Sequence, residues 1–412
     1  MVYRPGPAFA MTVDEAARKV PELKELVGKD PLYERLFNLS SRIDGISRHA
    51  MVHAGGVVIA PGPLSDYVPV CIQPTKGAGA TQNGEDAIIC QYDMVGLEKV
   101  GMLKMDMLGL KTLTVIHDAV EMVAARHGTR LEMDTLPLDD PTVYAMLRQG
   151  RTAGVFQFES ALATETLRAM KCDRFDDLVA SNALLRPGPL DAGMHLVFIR
   201  RKLGQDPVSY PDESLREILE PTYGVITYQE QVMQIANVLA GFSLAEADVL
   251  RKAVGKKDAE LIKKELGNVV ERAGAAGHPK KMVEELSAQL ETFGRYGFNK
   301  SHSVAYSVLG YQTAWLKAHY PAEFMAALLS SEIGDTDKVV QYIREAREMD
   351  LEVLPPDVNE SGFKFTVTGE RRIRFGLGAV RNGGQGAIES IIAGRAEAPY
   401  RSLQEFVDLI DL

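Results

Sequence analysis

The chain has 412 residues, of which 46% are hydrophobic and 25% charged, and this composition excludes a wholly disordered or collagen-like protein. Its 56 acidic residues outnumber 46 Lys plus Arg, giving a net charge of -10, so any face that binds a polyanion must be a local basic patch. Three widely spaced cysteines make neither a disulfide framework nor a metal cage, and no apolar run approaches the ~20 residues of a membrane span. These features predict a protein of two or three domains in a reducing cytoplasm.

The first 48 residues predict two or three short amphipathic helices. Thr12 and Glu15 have the spacing of a capping box, Pro21 interrupts the helical pattern that follows, and Asp30 is expected to cap the next helix. From about residue 49 the pattern changes to short β-branched runs bounded by Gly and Pro, such as GGVVIAPG. Such runs are typical of buried strands, and they predict a small sheet over residues 49–112.

Helical apolar spacing dominates from Lys111 to about residue 350, with short connections that indicate one large helical domain. Strand-like alternation returns in LEVLPPDVNESGFKFTVTGERRIRFGLGAV, and a Gly-rich turn with a last helix follows. The predicted fold class is α+β, predominantly α-helical.

One carboxylate stands out in the predicted sheet. Asp106 lies in the apolar run LKMDML, and alternate side chains of a strand share a face, so Lys104 and Asp106 are expected to project together. Asp106 could then hold Mg²⁺, and Lys104 could meet a phosphate. The alternative is an exposed ion pair on an edge strand. A single carboxylate does not complete a two-metal site.

The densest basic cluster runs from Arg251 to Lys264. Ser243 is expected to cap the preceding helix, and Gly255 is expected to end it in a left-handed conformation. Lys256 and Lys257 would then lie at the junction, free to meet an anion. The alternative is a solvated helix face, which is the usual role of such a run.

Aromatic and basic side chains interleave in FGRYGFNKSHSVAYSVLGY, residues 293–311, a combination that suits base stacking with phosphate contact. Ser301 or Ser303 is expected to cap a helix here, whose first N–H groups would attract anions. The alternative is a buried aromatic stripe with His302 as a structural residue. Upstream, RPGP predicts a rigid turn that fixes the direction of Arg186.

Taken in order, several segments are more specific than their parts: ISRHAMVHAGGVVIAP, VGMLKMDMLGLKTLTVI, LLRPGPLDAGM, YGVITYQEQVMQIA, RKAVGKKDAEL, FGRYGFNKSHSVAYSVLGYQTAWLKAHYPAEFMAALLS and VLPPDVN. The set closely resembles the alpha subunit of bacterial DNA polymerase III, the family C replicative polymerases, over nearly the whole chain. The resemblance implies thumb-like helices in residues 1–48 and the C-terminal half of the palm in 49–113. It also implies fingers in 114–355, and the end of the fingers with the start of a helix-hairpin-helix region in 356–412.

The resemblance also implies roles for individual residues. Asp106 matches the third carboxylate of a palm triad that binds two catalytic Mg²⁺ ions. Nucleotide-binding residues implied by the resemblance are Lys104, Arg251, Lys252, Asn299, Lys300, His302 and Tyr306. DNA-binding residues expected on the same basis are Arg186, Lys256, Lys257 and Arg295. The implied reaction is attack of a primer 3′-oxygen on the α-phosphorus of a deoxynucleoside triphosphate.

The implied partners are primer–template DNA, deoxynucleoside triphosphates, the upstream palm half, and the sliding clamp and other replisome subunits through regions missing here. No membrane is among them, and the expected location is the bacterial cytoplasm, at replication forks on the nucleoid. An error-prone translesion relative and a non-catalytic DNA-binding remnant stay open as alternatives.

Two departures from the family pattern bear on activity. The family carries its other two palm carboxylates as a D-x-D pair upstream of the thumb, and residues 1–48 contain none. The chain alone is therefore expected to be inactive, and its half-palm to associate through unpaired strand edges. In the tail, Asn382-Gly383-Gly384 replaces a Gly-hydrophobic-Gly hairpin turn, which weakens the expected grip on the duplex.

Overall fold

The computed structural model describes residues 12–46, 53, 55–73, 87–256, 259–294 and 297–410. The chain divides into two compact units, residues 1–109 and residues 110–412, and each is considered by itself below. Across these described ranges, no helix is both long and apolar enough to cross a lipid bilayer.

The described part of the first unit begins with three short helices, α1 (Val13–Lys19), α2 (Pro21–Lys29) and α3 (Pro31–Ile43). The predicted capping box at Thr12 is confirmed, since its side chain accepts from the Glu15 amide and Glu15 accepts from the Thr12 amide. Pro21 ends the first helical run and starts the second, as expected of a residue that cannot donate within a helix. Asp30 caps α3 by accepting the Leu32 amide at 2.8 Å.

The strands in the described part of this unit are β1 (Gly56–Ile59), β2 (Val70–Gln73), β3 (Ala87–Cys90) and β4 (Leu103–Asp106). In the part of residues 49–112 that the structure describes, they form two antiparallel pairs, β1–β4 and β2–β3, instead of the single sheet that the sequence predicts. A helix, α4 (Met94–Lys99), lies between β3 and β4 in the chain. Asp93 caps its start by accepting the Gly96 amide at 2.7 Å. Val68, Leu97 and Met102 form a small buried apolar core in this unit.

The second unit is dominated by helices. They are α5 (Lys111–His127), α6 (Pro141–Arg148), α7 (Ala161–Ala169), α8 (Phe175–Leu184), α9 (Pro187–Asp191), α10 (Met194–Lys202), α11 (Arg216–Leu219), α12 (Gln229–Ala240), α13 (Leu244–Lys256), α14 (Ala259–Ala275), α15 (Lys280–Gly294), α16 (Lys300–His319), α17 (Pro321–Ser331) and α18 (Thr336–Glu348). The chain ends with a small sheet ordered β5 (Glu352–Leu354), β7 (Arg372–Arg374) and β6 (Thr366–Gly369), followed by α19 (Gln385–Glu397) and α20 (Leu403–Leu409).

Separate apolar clusters hold these helices. Helices α12 to α15 share one cluster, which includes Leu250 and Leu290. Helix α16 contributes Tyr311 to a second cluster and Leu316 to a third, so this helix joins the two. Each fully buried Leu or Phe contributes about 1.5–3 kcal/mol, so the clusters fix the helices firmly. The predicted fold class is confirmed: α+β and predominantly helical, with a small β-rich part before a large helical domain.

Candidate active site

The carboxylate singled out in the sequence lies at the end of β4, where Asp106 is paired with Gly56 of β1. The Lys104 ammonium lies 2.5 Å from Oδ1 of Asp106, and 42% of the Asp106 side chain remains exposed. The two side chains therefore share a face, as strand alternation predicts, and form the ion pair of the alternative interpretation. The Lys104 hydrogen bond lowers the pKa of Asp106, which is ionised and open to solvent at neutral pH.

A glycine allows close packing around this carboxylate. A Cβ at Gly56 would lie 3.0 Å from Oδ1 of Asp106 and 2.9 Å from Nδ1 of His53. The His53 ring accepts the Gly55 amide at 3.2 Å and so stands beside the site. In the sequence His53 only flanks a possible strand start with no further metal ligands at a usual spacing, and its place beside Asp106 was not predicted.

Among the described residues of the first unit, none completes a metal site around Asp106. Within the described ranges, no group of three or more His, Cys, Asp or Glu side chains could hold a metal ion. The residues present thus offer Mg²⁺ one ionised oxygen ligand, which matches its preference for carboxylates but falls short of a full coordination shell.

The opposite face of the β1–β4 sheet is apolar and open. Val57 pairs with Met105, and Ile59 pairs with Leu103. Each of these side chains is between 45% and 57% exposed, which is unusual for large apolar residues on a sheet.

In the second unit, one face of α13 carries the predicted phosphate-binding cations. Nε and Nη2 of Arg251 both lie 2.8 Å from Oδ1 of Asp248, and Nζ of Lys252 lies 2.8 Å from Oδ2. The hydrogen bonds from Lys252 and Arg251 lower the pKa of Asp248.

Of the two predicted ends of α13, the structure confirms only the start. Ser243 and Glu246 form the predicted cap at its start. The prediction for Gly255 is wrong, since the helix continues through it to Lys256 with its backbone in the ordinary helical region. Lys257 and Arg295 lie outside the described residues, as does the side chain of Lys256.

The starts of α12 and α16 lie against each other and against the end of α13. The Gln229 amide donates to the Phe298 carbonyl at 2.9 Å, and its side chain donates to the Gly297 carbonyl at 3.0 Å. A Cβ at Gly297 would lie 2.6 Å from Cγ1 of Val254, so only glycine permits this approach. A Cβ at Gly255 would lie 3.7 Å from Nε2 of Gln229, in ordinary contact. Three helix ends therefore converge around Gln229.

The start of α16 is capped by different residues from those predicted. Asn299 accepts the His302 amide at 2.8 Å, whereas Ser303 is buried and donates to the Val179 carbonyl. Glu230 accepts both the Lys300 amide and the Asn299 side chain at 2.9 Å. Amides expected to attract an external anion are thus already bonded to protein oxygens. The ammonium of Lys300 lies 5.6 Å from the Tyr228 ring centroid.

A row of aromatic rings follows the first turns of α16. Ring centroids are 5.4 Å apart for Phe298–His302, 4.3 Å for His302–Tyr306 and 5.5 Å for Tyr306–Phe156. His302 is exposed and the other three are half-buried, so the row is not the buried stripe of the alternative interpretation. Phe156 comes from a distant loop, and no local signal in the sequence indicates its place here.

Arg186 covers one end of this row. Its guanidinium carbon lies 4.9 Å from the Phe298 ring centroid, and its Nε donates to the Asn182 carbonyl. The predicted rigid turn after it is the first part of the short helix α9, which Pro187 begins. The side chain is thereby held beside the aromatic row.

Comparison with known proteins relates both units to one family. Residues 4–109 match the description "Bacterial DNA polymerase III alpha NTPase domain", residues 112–277 match "Bacterial DNA polymerase III alpha subunit finger domain", and residues 350–412 match "Helix-hairpin-helix motif".

Curated relatives named DNA polymerase III subunit alpha are similar over nearly the whole chain. The chain is 47% identical to that of Thermus aquaticus over 402 residues, covering 96% of this chain and 32% of the relative. It is 42% identical to that of Bacillus subtilis (strain 168) and 41% identical to that of Escherichia coli (strain K12), covering 98% of this chain and 35% of each relative. The chain thus spans about a third of the length of these relatives.

Proposed function

The chain belongs to the family of bacterial DNA polymerase III alpha subunits, and from this premise we propose that it supplies part of the active site of a DNA-directed DNA polymerase. The observation that carries the proposal is Asp106, an ionised and exposed carboxylate that Lys104 holds at the end of β4. Under this proposal residues 1–48 act as thumb, 49–113 as half of the palm, 114–355 as fingers, and 356–412 as the end of the fingers and the start of the helix-hairpin-helix region.

In the palm, Asp106 offers an oxygen ligand to Mg²⁺. When bound, that ion supplies positive charge against the attacking and leaving oxygens of phosphoryl transfer. Lys104 has two uses in the proposal: it keeps Asp106 ionised, and its ammonium can turn to a triphosphate oxygen. His53, beside the same carboxylate, restricts access from one side.

In the fingers, Arg251 and Lys252 neutralise the triphosphate, with Lys300 as a further cation. Guanidinium and ammonium groups form charge-assisted hydrogen bonds to phosphate oxygens, which are stronger than neutral ones. The aromatic row of Phe298, His302 and Tyr306 gives rings on which a base can stack. Arg186, Lys256, Lys257 and Arg295 are proposed to contact DNA.

The palm requires further carboxylates from another part of the polymerase. The exposed apolar face of β1–β4 is proposed to pack against the other palm half, which brings the D-x-D pair of the family pattern. Burial of four large apolar side chains at about 25 cal/mol per Å² favours that association. Without it the chain is proposed to be inactive.

The fingers part of the proposal predicts a defect in nucleotide use. Replacing Arg251 and Lys252 together with glutamine is expected to raise the KM for deoxynucleoside triphosphates at least about tenfold, because two charge-assisted contacts are lost. The measurement is primer extension by the chain complexed with a polypeptide that carries the D-x-D pair.

The matched control replaces Lys263 and Lys264 with glutamine. Both lysines are exposed on α14, and replacing them removes the same amount of charge as replacing Arg251 and Lys252. An equal rise in KM for the two double variants would contradict a specific role for Arg251 and Lys252.

A further inference from the structure

One carboxylate in the fingers engages both cations that the proposed function assigns to the triphosphate. Oδ1 of Asp248 accepts from Nε and Nη2 of Arg251, and Oδ2 pairs with Lys252, each at 2.8 Å. The Asp248 side chain is 34% exposed and that of Arg251 is 33% exposed. The ion triplet therefore lies at the edge of solvent, within reach of a ligand.

The three side chains share one face of α13, since they are spaced i, i+3 and i+4. The other face is fixed in the core by Leu250 and Val254. The row formed by Asp248 and Arg251 continues at Gly255, which faces Gln229 and the convergent helix ends. The carboxylate is thus part of the surface that leads toward the start of α16.

We propose that Asp248 occupies, in the ligand-free chain, the position that a phosphate group of a nucleoside triphosphate takes, and that it thereby sets the affinity for the triphosphate. This inference rests on the proposed function and adds a positioning residue to it. Asp248 holds Arg251 and Lys252 in one arrangement, and its ion pairs with them break when phosphate binds.

Physical chemistry makes this exchange easy. A partly exposed ion pair contributes little to stability because water screens its charges, so opening it costs little. The Nε and Nη2 edge of Arg251 that Asp248 occupies is also the edge that binds phosphate through two parallel hydrogen bonds. A triphosphate carries more charge and more acceptor oxygens than one carboxylate, so it displaces Asp248 from Arg251 and Lys252. The displaced carboxylate stays on the same helix turn and repels the ligand.

Removing the charge of Asp248 is therefore expected to tighten binding. The experiment is isothermal titration calorimetry of the full chain with inorganic tripolyphosphate, at constant ionic strength and without divalent metal. Asp248→Asn is expected to bind about three- to tenfold more tightly than the wild type.

The matched control is Glu165→Gln. Glu165 pairs with Arg168 at i, i+3 with a separation of 3.6 Å on an exposed face of α7, and its substitution changes the net charge equally. Its affinity for tripolyphosphate is expected to stay within about 1.5-fold of wild type. Asp248→Ser serves as a second variant should the asparagine form fail to fold.

The same titration separates this inference from the proposed function. The double variant Arg251→Gln with Lys252→Gln is expected to lose tripolyphosphate binding, and binding equal to wild type would overturn the proposed phosphate role itself. If wild-type binding depends on the two cations but Asp248→Asn matches Glu165→Gln or binds more weakly, the Asp248 inference alone is overturned. Undetectable binding by both wild type and Asp248→Asn would also overturn it.

Discussion

Replacing Asp106 with asparagine is expected to lower primer extension at least about a thousandfold in the complex with a D-x-D-bearing palm segment. Asparagine keeps the size of the side chain and an acceptor for Lys104, but it removes the negative charge that a divalent cation needs. Affinity for primer–template DNA is expected to stay within about twofold, because Asp106 repels rather than binds the DNA backbone.

The measurement pairs single-turnover extension with a DNA titration of the same complex. Asp66→Asn is the control, because Asp66 is an exposed acidic residue of the same unit, in the short 3₁₀ turn Leu64–Asp66. Unchanged extension by the Asp106 variant would refute a catalytic role and favour a non-catalytic DNA-binding protein.

Replacing Lys317 with methionine is expected to lower the free energy of unfolding of the second unit by about 3–5 kcal/mol. The Lys317 side chain is fully buried and donates to Glu345 at 2.6 Å and to the carbonyls of Arg151 and Ala153 at 3.1 and 2.8 Å. Burial lowers the pKa of Lys317, and the Glu345 carboxylate opposes that shift by its charge and its hydrogen bond. Methionine fills the space but leaves a carboxylate and two carbonyls without their donor.

Urea unfolding followed by tryptophan fluorescence measures this effect, because Trp315 is the only tryptophan of the chain and lies on the same helix. Lys364→Met is the control, since Lys364 makes a 2.6 Å ion pair with Asp118 while 54% exposed. Its loss is expected to cost less than about 1 kcal/mol. Equal destabilisation by the two variants would show that burial of Lys317 is not the cause.

Local chemistry was predictable from the sequence where the signal lay within a few residues. Strand alternation placed Lys104 and Asp106 on one face, and the capping box at Thr12 formed as its spacing predicted. Both depend on contacts between neighbours in the chain, so a sequence pattern specifies them directly.

Long-range partners were the part that the sequence could not indicate. Glu230 reaches the start of α16 from about 70 residues away and takes the amide that was expected to attract an external anion. Phe156 joins the aromatic row, and His53 joins Asp106, only because the fold brings distant segments together. The helix does not end at Gly255, because packing of Val254 in the core outweighs the low helix propensity of glycine.

Primer extension by the purified chain, alone and mixed with a palm polypeptide that carries the D-x-D pair of the family pattern, tests the central claim most directly. We predict no extension by the chain alone and magnesium-dependent extension by the mixture, because Asp106 then gains the further carboxylates that two metal ions require. Clear extension by the chain alone, or none by a mixture that forms a stable complex, would contradict the account.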